Sequence, residues 1–523
     1  MEPFSAGWLS LMPPLAAIVM ALISREVVSS LLFGILIGSF IYAAGSGGDW
    51  VLGTIDSAFW VMEETLEFKI LIFTSLLGAI VYLVSLSGGA RAYGEWASKR
   101  IRTRRSTLFS AGALGFLVFI DDYFNCLFVG TVMRPLSDRQ RISRAKLAWI
   151  IDSTAAPVCI LAPVSSWAAA VGASMQGVDF GGASTMSVFM ASIPWNFYAL
   201  LTIGFMLFML WQGRDFGPMA RLEAEAVRGL VDKPEYEEND EEKFGGRGGL
   251  MDMLVPILSL IVFAVASLLY SGGYWGDDPR FHSVAAAIGN SSSDAALVQA
   301  AFGALIVSFL LYVPRRILSF SAFMEGAVKG MKLMLPANII LILAWTLSGV
   351  CRDLLMATQY VEGVVGALGS DFGTLLPLLA FVIACGLAFA TGASWATFGI
   401  LVPIIVPAVQ AVSPDLALPA LAAILAGSVF GDHASPISDT TILSAASSRC
   451  QHMEHVASQL PYVILPAIAA ATGYLVAGLT GGNYITAAAS ALGMLILLTA
   501  LALMRSSGPE AQSAKVSSPA VVG

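Results

Sequence analysis

The chain has 523 residues, of which 57% are hydrophobic and 12% are charged, and its mean hydropathy is +0.78. This charged fraction is about half that of a typical soluble domain, which excludes a water-soluble globular protein and indicates a polytopic α-helical membrane protein. The formal net charge of −8 gives no indication of nucleic-acid binding, because about half of it comes from residues 214–249, where ten acidic residues outnumber six basic ones.

Apolar runs separated by charged breaks predict about eleven membrane-spanning helices, because roughly 20 apolar residues are needed to cross a bilayer. The first run follows Glu2 without any preceding lysine or arginine, which favours a retained span over a secretory signal. The spans are predicted near residues 8–23, 27–44, 69–88, 147–170, 189–211, 250–270, 296–313, 333–351, 416–447, 459–480 and 484–504. We therefore expect a multi-pass protein of the plasma or inner membrane, in contact with membrane lipid.

Residues 107–133 form an apolar segment outside these spans. Six basic residues lie between residues 91 and 105 and five between residues 134 and 146, and basic residues near span ends remain in the cytoplasm. The segment should thus enter and leave from the cytoplasmic side, as a re-entrant hairpin with Asp121 and Asp122 at its tip, facing a cavity. The alternative is a single span, which would place one basic run outside the cell.

A second long apolar segment, residues 377–410, is interrupted at residues 390–397. Its flanks, including residues 370–373, carry no basic residues. The sequence predicts a second hairpin here, open to the outside.

The two halves of the chain have the same order of segments. Each contains a hairpin followed by an interrupted helix, and the interrupted helices carry both aspartate and proline, at residues 145–158 and 423–437. Counting spans gives the corresponding elements opposite orientations, and transporters with such repeats hold their substrate near the middle of the membrane. The predicted organisation is an inverted-topology repeat at 1–212, a cytoplasmic charged linker at 213–249, a second inverted repeat at 250–480, and an extra C-terminal helix with a tail at 481–523.

Four groups of polar residues interrupt the apolar segments and converge in this arrangement. They offer many oxygens and few nitrogens, and hard cations such as Na⁺ prefer oxygen ligands. Carboxylates are costly to bury in a membrane, so an aspartate found there usually has a functional role. The residues predicted to bind a cation, a proton or a substrate are Asp121, Asp122 and Asn125; Asp152, Ser153 and Thr154; Thr391, Ser394 and Thr397; and Asp432, His433, Ser435, Ser438 and Asp439.

A buried aspartate can hold either a proton or a cation, because its charge must be neutralised or paired. This competition is a mechanism for antiport, in which Na⁺ binding expels the proton and protonation on the other side expels Na⁺. About a third to a half of the hydroxyls should instead cap half-helices. Three roles stay open for His433: ligand, proton relay, or hydrogen-bonded orienter of Asp432.

The sequence predicts neither an enzyme nor a bound cofactor, and the expected cargo is Na⁺ and H⁺. Five cysteines without a C-x-x-C pair are expected to be free thiols. Cys450, His452 and His455 could be drawn as a zinc site, but a solvated loop is the preferred interpretation. Intramembrane aspartyl proteolysis is an alternative use of two buried aspartates, although it leaves the hydroxyls and paired hairpins without a role.

Three blocks carry a family resemblance: FIDDYFN at 119–125, IIDSTAAPVCILAPVSSW at 150–167, and GDHASPISDTTILS at 431–444, followed by HVASQLPY. They resemble the NhaC-type sodium/proton antiporter family of the ion transporter superfamily, over most of the chain. The resemblance implies a scaffold domain and a mobile transport domain that contains both hairpins and moves as an elevator in a homodimer. It also implies that the substrate can differ, since relatives exchange malate for lactate or carry amino acids.

A coupled carrier of a small organic anion or amino acid is therefore the competing interpretation. Trp167 and Trp395 lie beside the polar groups, and an aromatic wall would favour an organic solute over a bare ion. One observation opposes an organic carrier: the predicted core has no lysine or arginine to bind a substrate carboxylate, although the N-termini of half-helices could bind one.

Overall fold

The computed structural model describes residues 1–24, 27–47, 49–89, 91–92, 96, 100–175, 177–229, 247–357, 359–360, 363, 373–436 and 438–505. The flank at 370–372, most of the predicted linker at 230–246 and the tail at 506–523 lie outside these residues.

The regular structure of the described residues is entirely helical. In the first half the helices are α1 Met12–Ser24, α2 Val27–Gly45, α3 Trp50–Thr65, α4 Phe68–Ser87, α5 Arg104–Leu117, α6 Asp122–Arg139, α7 Arg144–Thr154, α8 Ala156–Cys159, α9 Ser166–Ser174, α10 Thr185–Ser192, α11 Phe197–Gln212 and α12 Gly217–Val227. In the second half they are α13 Met251–Ser271, α14 Val284–Asn290, α15 Ser293–Tyr312, α16 Phe320–Leu333, α17 Leu335–Gly349, α18 Leu376–Thr391, α19 Ser394–Val412, α20 Ala417–Ala434, α21 Asp439–Ser448, α22 His452–Leu479 and α23 Tyr484–Arg505.

Ten helical segments among the described residues are long and apolar enough to cross a bilayer, which confirms the predicted class of polytopic helical membrane protein. They are Val28–Gly45, Phe68–Ser87, Phe197–Val227, Met251–Ser271, Ala295–Tyr312, Phe320–Leu354, Ser394–Val412, Pro414–Ala434, His452–Leu479 and Tyr484–Arg505. The count of eleven spans, the sidedness and the inverted repeats stay predictions.

The first predicted hairpin consists of α5 and α6, which are separated by residues 118–121. Thr103 and Ser106 form a capping box that satisfies backbone groups at the start of α5. At the break, the side-chain amide of Asn125 donates to the carbonyls of Gly115, Val118 and Thr154 at 2.8–3.1 Å. Asn125 thus replaces the backbone hydrogen bonds that the break removes.

The second predicted hairpin consists of α18 and α19. Gly392 ends α18 in the left-handed conformation, with φ of 64°, which is favourable for glycine because it has no Cβ. Helix α19 then begins at Ser394. The break therefore places Ser394 at the start of a new helix.

Both helices predicted to be interrupted are broken close to their aspartates. Helix α7 ends two residues after Asp152, and α8 begins beyond Ala155. In the second half, α20 ends at Ala434 and α21 begins at Asp439. Each break brings backbone carbonyls and short polar side chains into the interior.

Helices α18 and α20 approach closely through two glycines spaced one turn apart on α20. A Cβ at Gly427 would lie 2.4 Å from the carbonyl oxygen of Phe381, and one at Gly431 would lie 2.4 Å from that of Cys385. Side chains at these positions would separate the two helices. Because Asp432 follows Gly431, this close packing also fixes the position of the aspartate.

Part of the predicted linker is an ordered helix. Glu223 of α12 pairs with Arg104 and accepts the backbone N–H of Ser143, the N-cap residue of α7, at 2.8 Å. Just before α12, Asp215 pairs with the buried Lys146 of α7 and accepts the hydroxyl of Tyr462 at 2.8 Å. The start of the linker is therefore attached to helices that carry the candidate site.

Candidate functional site

A cleft between the broken helices contains three of the predicted aspartates. It encloses about 350 Å³, including its open mouth. Its walls come from α6, α9, α17, the α18–α19 break, α20 and α21. The lining residues are Asp122, Tyr123, Trp167, Ile340, Ala393, Ser394, Trp395, Asp432 and Asp439. None of these lining residues, all in the described part of the chain, is lysine or arginine, so the cleft is acidic.

Asp432 is held at the cleft by Ser394. The Ser394 hydroxyl lies 2.6 Å from Oδ2 of Asp432 and 3.1 Å from the carbonyl oxygen of Ser428. With one hydrogen to donate, the hydroxyl favours the nearer and charged acceptor. The serine at the α18–α19 break therefore positions the carboxylate at the end of α20.

Tyr123 joins the two halves of the chain at this cleft. Its hydroxyl donates to Oδ2 of Asp439, and Oδ1 of Asp439 accepts the backbone N–H of Thr440 at 2.9 Å. The preceding residue, Asp122, accepts the backbone N–H of Tyr123 through Oδ1 at 3.1 Å. The first helical turns of α6 and α21 thus present their aspartates to one space, in which positive helix ends favour negative charge.

Asp121 lies beside the cleft rather than among its lining residues. Its Oδ2 accepts the Ser166 hydroxyl at 3.1 Å, and the backbone N–H of Ser166 donates to Ile120 at 2.9 Å. These contacts attach the α5–α6 break to the start of α9.

Asp152 is buried in a separate group of polar side chains. Its Oδ2 accepts the Thr441 hydroxyl at 3.1 Å, the Gln459 side-chain amide at 2.9 Å and Nε2 of His455 at 3.3 Å. His433 lies near the same oxygen, at 3.9 Å. Three of the predicted aspartates therefore line the cleft, Asp121 lies beside it, and Asp152 belongs to this second group.

His433 belongs to the Asp152 side of α20. Its Nδ1 lies 3.0 Å from the hydroxyl of Tyr198, and its carbonyl oxygen accepts the Gln459 amide at 2.8 Å. Among its described contacts, no hydrogen bond to Asp432 occurs, so the contacts do not support the idea that His433 orients Asp432.

The two tryptophans meet edge to face at one wall of the cleft. The rings of Trp167 and Trp395 are 6.1 Å apart at 88°, and Trp167 also contacts Phe398. Trp167 is fully buried, and its Nε1 has no hydrogen-bond partner among the described residues. Trp395 is half-buried and lines the cleft.

Several predicted hydroxyls bond to nearby backbone instead of facing the cleft. Thr154, Thr391 and Thr397 each donate to the carbonyl four residues earlier, at 2.9 Å. Ser435 donates to the carbonyl of Phe389 at 2.7 Å. Ser438 is the N-cap of α21, and its side chain also hydrogen-bonds Asp432 at the cleft. Such contacts stabilise broken helices. The buried hydroxyl of Ser153 has no hydrogen-bond partner among the described residues.

His455 and Gln459 were missed as site residues. The expectation of a solvated loop at Cys450, His452 and His455 is wrong for the first and last, which are both buried. His452 starts α22 and contacts the Pro436 carbonyl at 2.6 Å, whereas His455 contacts Asp152. The four-residue spacing from His455 to Gln459 was an available signal, because it places both on one helix face.

The described residues contain no group of three or more His, Cys, Asp or Glu side chains placed to hold a metal ion. The three cleft carboxylates therefore do not form a preassembled metal site.

The Na⁺/H⁺ antiporter family model matches residues 158–479. A Haemophilus influenzae protein of uncharacterised function is 36% identical over 507 residues, covering 95% of this chain and 96% of its own. A Bacillus subtilis malate-2H⁺/Na⁺-lactate antiporter is 33% identical over 154 residues, covering 28% of this chain and 31% of its own. The Halobacterium salinarum arginine/ornithine antiporter ArcD is 37% identical over 117 residues, covering 21% of this chain and 22% of its own.

Proposed function

Because the chain belongs to the Na⁺/H⁺ antiporter family, as its motifs indicated, we propose that it exchanges Na⁺ for protons through its intramembrane aspartates. It is a secondary transporter of the cell membrane and not an enzyme. The observation that carries the proposal is the cleft, where Asp122, Asp432 and Asp439 meet without a lysine or arginine among the lining residues described.

The exchange follows from the charge of this cleft. Buried carboxylates without a basic partner must be neutralised, either by protons or by a cation. Ser394 and Tyr123 already contact Asp432 and Asp439, so oxygen atoms are available around an entering Na⁺. Binding of Na⁺ on one side of the membrane then favours release of a proton, and protonation on the other side favours release of Na⁺.

Alternating access is proposed to occur by an elevator motion in a homodimer, in which both hairpins move with the cleft. In support, a helix pair with a central break is followed by a broken helix in each half of the chain, first at α5–α8 and then at α18–α21. This common order agrees with inverted repeats around a central site.

A second candidate is coupled transport of a small organic anion or amino acid. Trp395 and Trp167 line the cleft, and aromatic walls contribute more to binding an organic solute than a bare ion. Two relatives named as antiporters of malate and lactate or of arginine and ornithine belong to this class. Basic amino acids would also suit an acidic, aromatic cleft.

The test is transport by the purified chain in liposomes that contain a pH-sensitive dye. An outward-directed or inward-directed Na⁺ gradient should drive proton movement without any organic solute, and Asp432→Asn should remove it. Asp277→Asn, at an exposed position, is the matched control and should behave as wild type. Proton movement that requires malate, lactate or an amino acid would reject Na⁺/H⁺ exchange in favour of the second candidate.

A further inference from the structure

Asp152 and His455 form a buried, hydrogen-bonded pair away from the cleft. Asp152 is 2% exposed and His455 is 0% exposed, and Nε2 of His455 lies 3.3 Å from Oδ2 of Asp152. Thr441 and Gln459 donate to the same carboxylate oxygen. Neither member of the pair lines the cleft, so the cation proposed there does not need them as ligands.

The hydrogen bond fixes where another proton would bind. A carboxylate accepts, so Nε2 of His455 carries the hydrogen and Nδ1 is the basic nitrogen of the neutral ring. Nδ1 is buried without a hydrogen-bond partner among the described residues. Protonation there would convert the pair from a net charge of about −1 to a neutral imidazolium–carboxylate pair, which is less costly to bury.

The surroundings of the pair contain other titratable groups, and no lysine or arginine of the described part of the chain contacts the Asp152 carboxylate. His433 of α20 lies 3.9 Å from Oδ2 of Asp152 and contacts Tyr198 of α11. Cys126 of α6 and, at longer range, Asp432 and Asp439 also interact electrostatically with Asp152. The nearest lysine or arginine to Asp152 along α7 is Lys146, which lies nearly two helical turns from Asp152 and pairs with Asp215.

The pair and the cleft share two structural elements. Helix α20 supplies Asp432 to the cleft and His433 to the Asp152 group, and α21 supplies Asp439 and Thr441 in the same way. Like charges in the two places repel each other through a medium of low dielectric constant. A cation in the cleft therefore disfavours a proton on the pair.

Resting on the proposed Na⁺/H⁺ exchange, we infer that a transported proton is carried by the Asp152–His455 pair, outside the cleft that binds the cation. The site takes a proton at Nδ1 of His455 when Na⁺ leaves and gives it up when Na⁺ binds. His455 is then part of the transport chemistry rather than a packing residue.

The variant His455→Gln tests this assignment, because glutamine keeps an N–H donor for Asp152 and cannot titrate. The number of protons exchanged per Na⁺ is measured in liposomes by finding the pH gradient that balances a fixed Na⁺ gradient. We expect this ratio to fall by about one, and Na⁺-coupled proton movement to disappear if the wild-type ratio is one. His282→Gln, at an exposed histidine, should leave the ratio unchanged.

A second measurement needs only folded protein. Addition of Na⁺ to the detergent-solubilised wild type should release protons into a weakly buffered dye solution, and both His455→Gln and Asp152→Asn should release about one fewer per chain. An unchanged ratio and unchanged release in His455→Gln would overturn the inference, as would loss of Na⁺ binding itself. Wild-type protein that moves no protons with Na⁺ would instead reject the proposed function, and the inference with it.

Discussion

Asp432 and His433 are consecutive residues whose side chains contact different groups. The Ser394 hydroxyl lies 2.6 Å from Oδ2 of Asp432, whereas Nδ1 of His433 lies 3.0 Å from the Tyr198 hydroxyl. Consecutive residues of a helix point roughly 100° apart, so the last turn of α20 contacts both the cleft and the Asp152 group. Movement of this turn would therefore affect the two groups together.

Ser394→Ala should weaken Na⁺ binding. The substitution removes the hydroxyl that contacts Asp432, and a hydrogen bond to a charged group contributes about 1.5–3 kcal/mol. We expect the Na⁺ concentration for half-maximal exchange in liposomes to rise about ten-fold or more. Ser490→Ala removes a serine whose hydroxyl donates to the Ala487 carbonyl within α23, and should leave this concentration unchanged. Equal affinities in both variants would contradict the role of Ser394.

Gly431→Ala should destabilise the protein. The added Cβ would lie 2.4 Å from the Cys385 carbonyl oxygen, and overpacking of this kind costs about 1–3 kcal/mol. The measurement is the thermal unfolding temperature in detergent, followed by tryptophan fluorescence. Gly386→Ala on the facing helix meets nothing within 4 Å and should unfold at the wild-type temperature or slightly above it. A wild-type unfolding temperature for Gly431→Ala would show that α18 and α20 are less closely packed.

Asp215→Asn should destabilise the attachment of the linker to α7. Lys146 has 1% of its side chain exposed, and removing one partner of a buried ion pair costs about 3–5 kcal/mol. We expect a lower unfolding temperature and faster proteolysis near α12. Glu225→Gln removes an acid whose partner, Arg221, is mostly exposed, so its effect should be small. Similar behaviour of the two variants would mean that the linker does not depend on this pair.

If residues 107–133 form a re-entrant hairpin, both of its ends should lie on the cytoplasmic side of the membrane. In a cysteine-free background, Arg102→Cys and Arg139→Cys, at two exposed positions, should both react with a membrane-impermeant maleimide only from the cytoplasm. Asp277→Cys, in the loop between α13 and α14, should react only from outside. Labelling of Arg102→Cys and Arg139→Cys from opposite sides would replace the hairpin with a single span.

Composition and apolar periodicity predicted the fold class because a membrane interior requires long apolar helices. The helix breaks at 118–121 and 392–393 were also predictable, since the first ends at Asp121 and the second lies between Thr391 and Ser394, all within apolar segments. The helix α12 was not predictable from the sequence, because its charged sequence is typical of a linker. Its position depends on tertiary contacts, above all those of Asp215 and Glu223.

The candidate site was predicted as one group and is found as two. The aspartates were identified because a carboxylate is costly to bury in a membrane. That argument does not say which of their side chains face the same space. Asp152 and Asp432 were expected together, yet only Asp432 lines the cleft. The predicted span begins near residue 459, whereas α22 begins at His452, so His455 lies in the helix and not in the expected loop.

Trp395→Phe separates the two candidate transport functions. If Trp395 only packs against Trp167, phenylalanine keeps most of the apolar surface and the affinity for Na⁺ should change little, because Ser394 and Asp432 remain. If the indole forms a wall for an organic solute, its loss should weaken binding of that solute by about 1–2 kcal/mol, which is roughly a five- to thirty-fold loss of affinity. The measurement is apparent affinity for Na⁺ and for each solute in liposomes at matched ion gradients. Trp275→Phe, at an exposed tryptophan, is the control and should change neither affinity. Na⁺-driven proton flux that proceeds without solute and survives in Trp395→Phe would support ion exchange, whereas flux that needs a solute and collapses in this variant would contradict it.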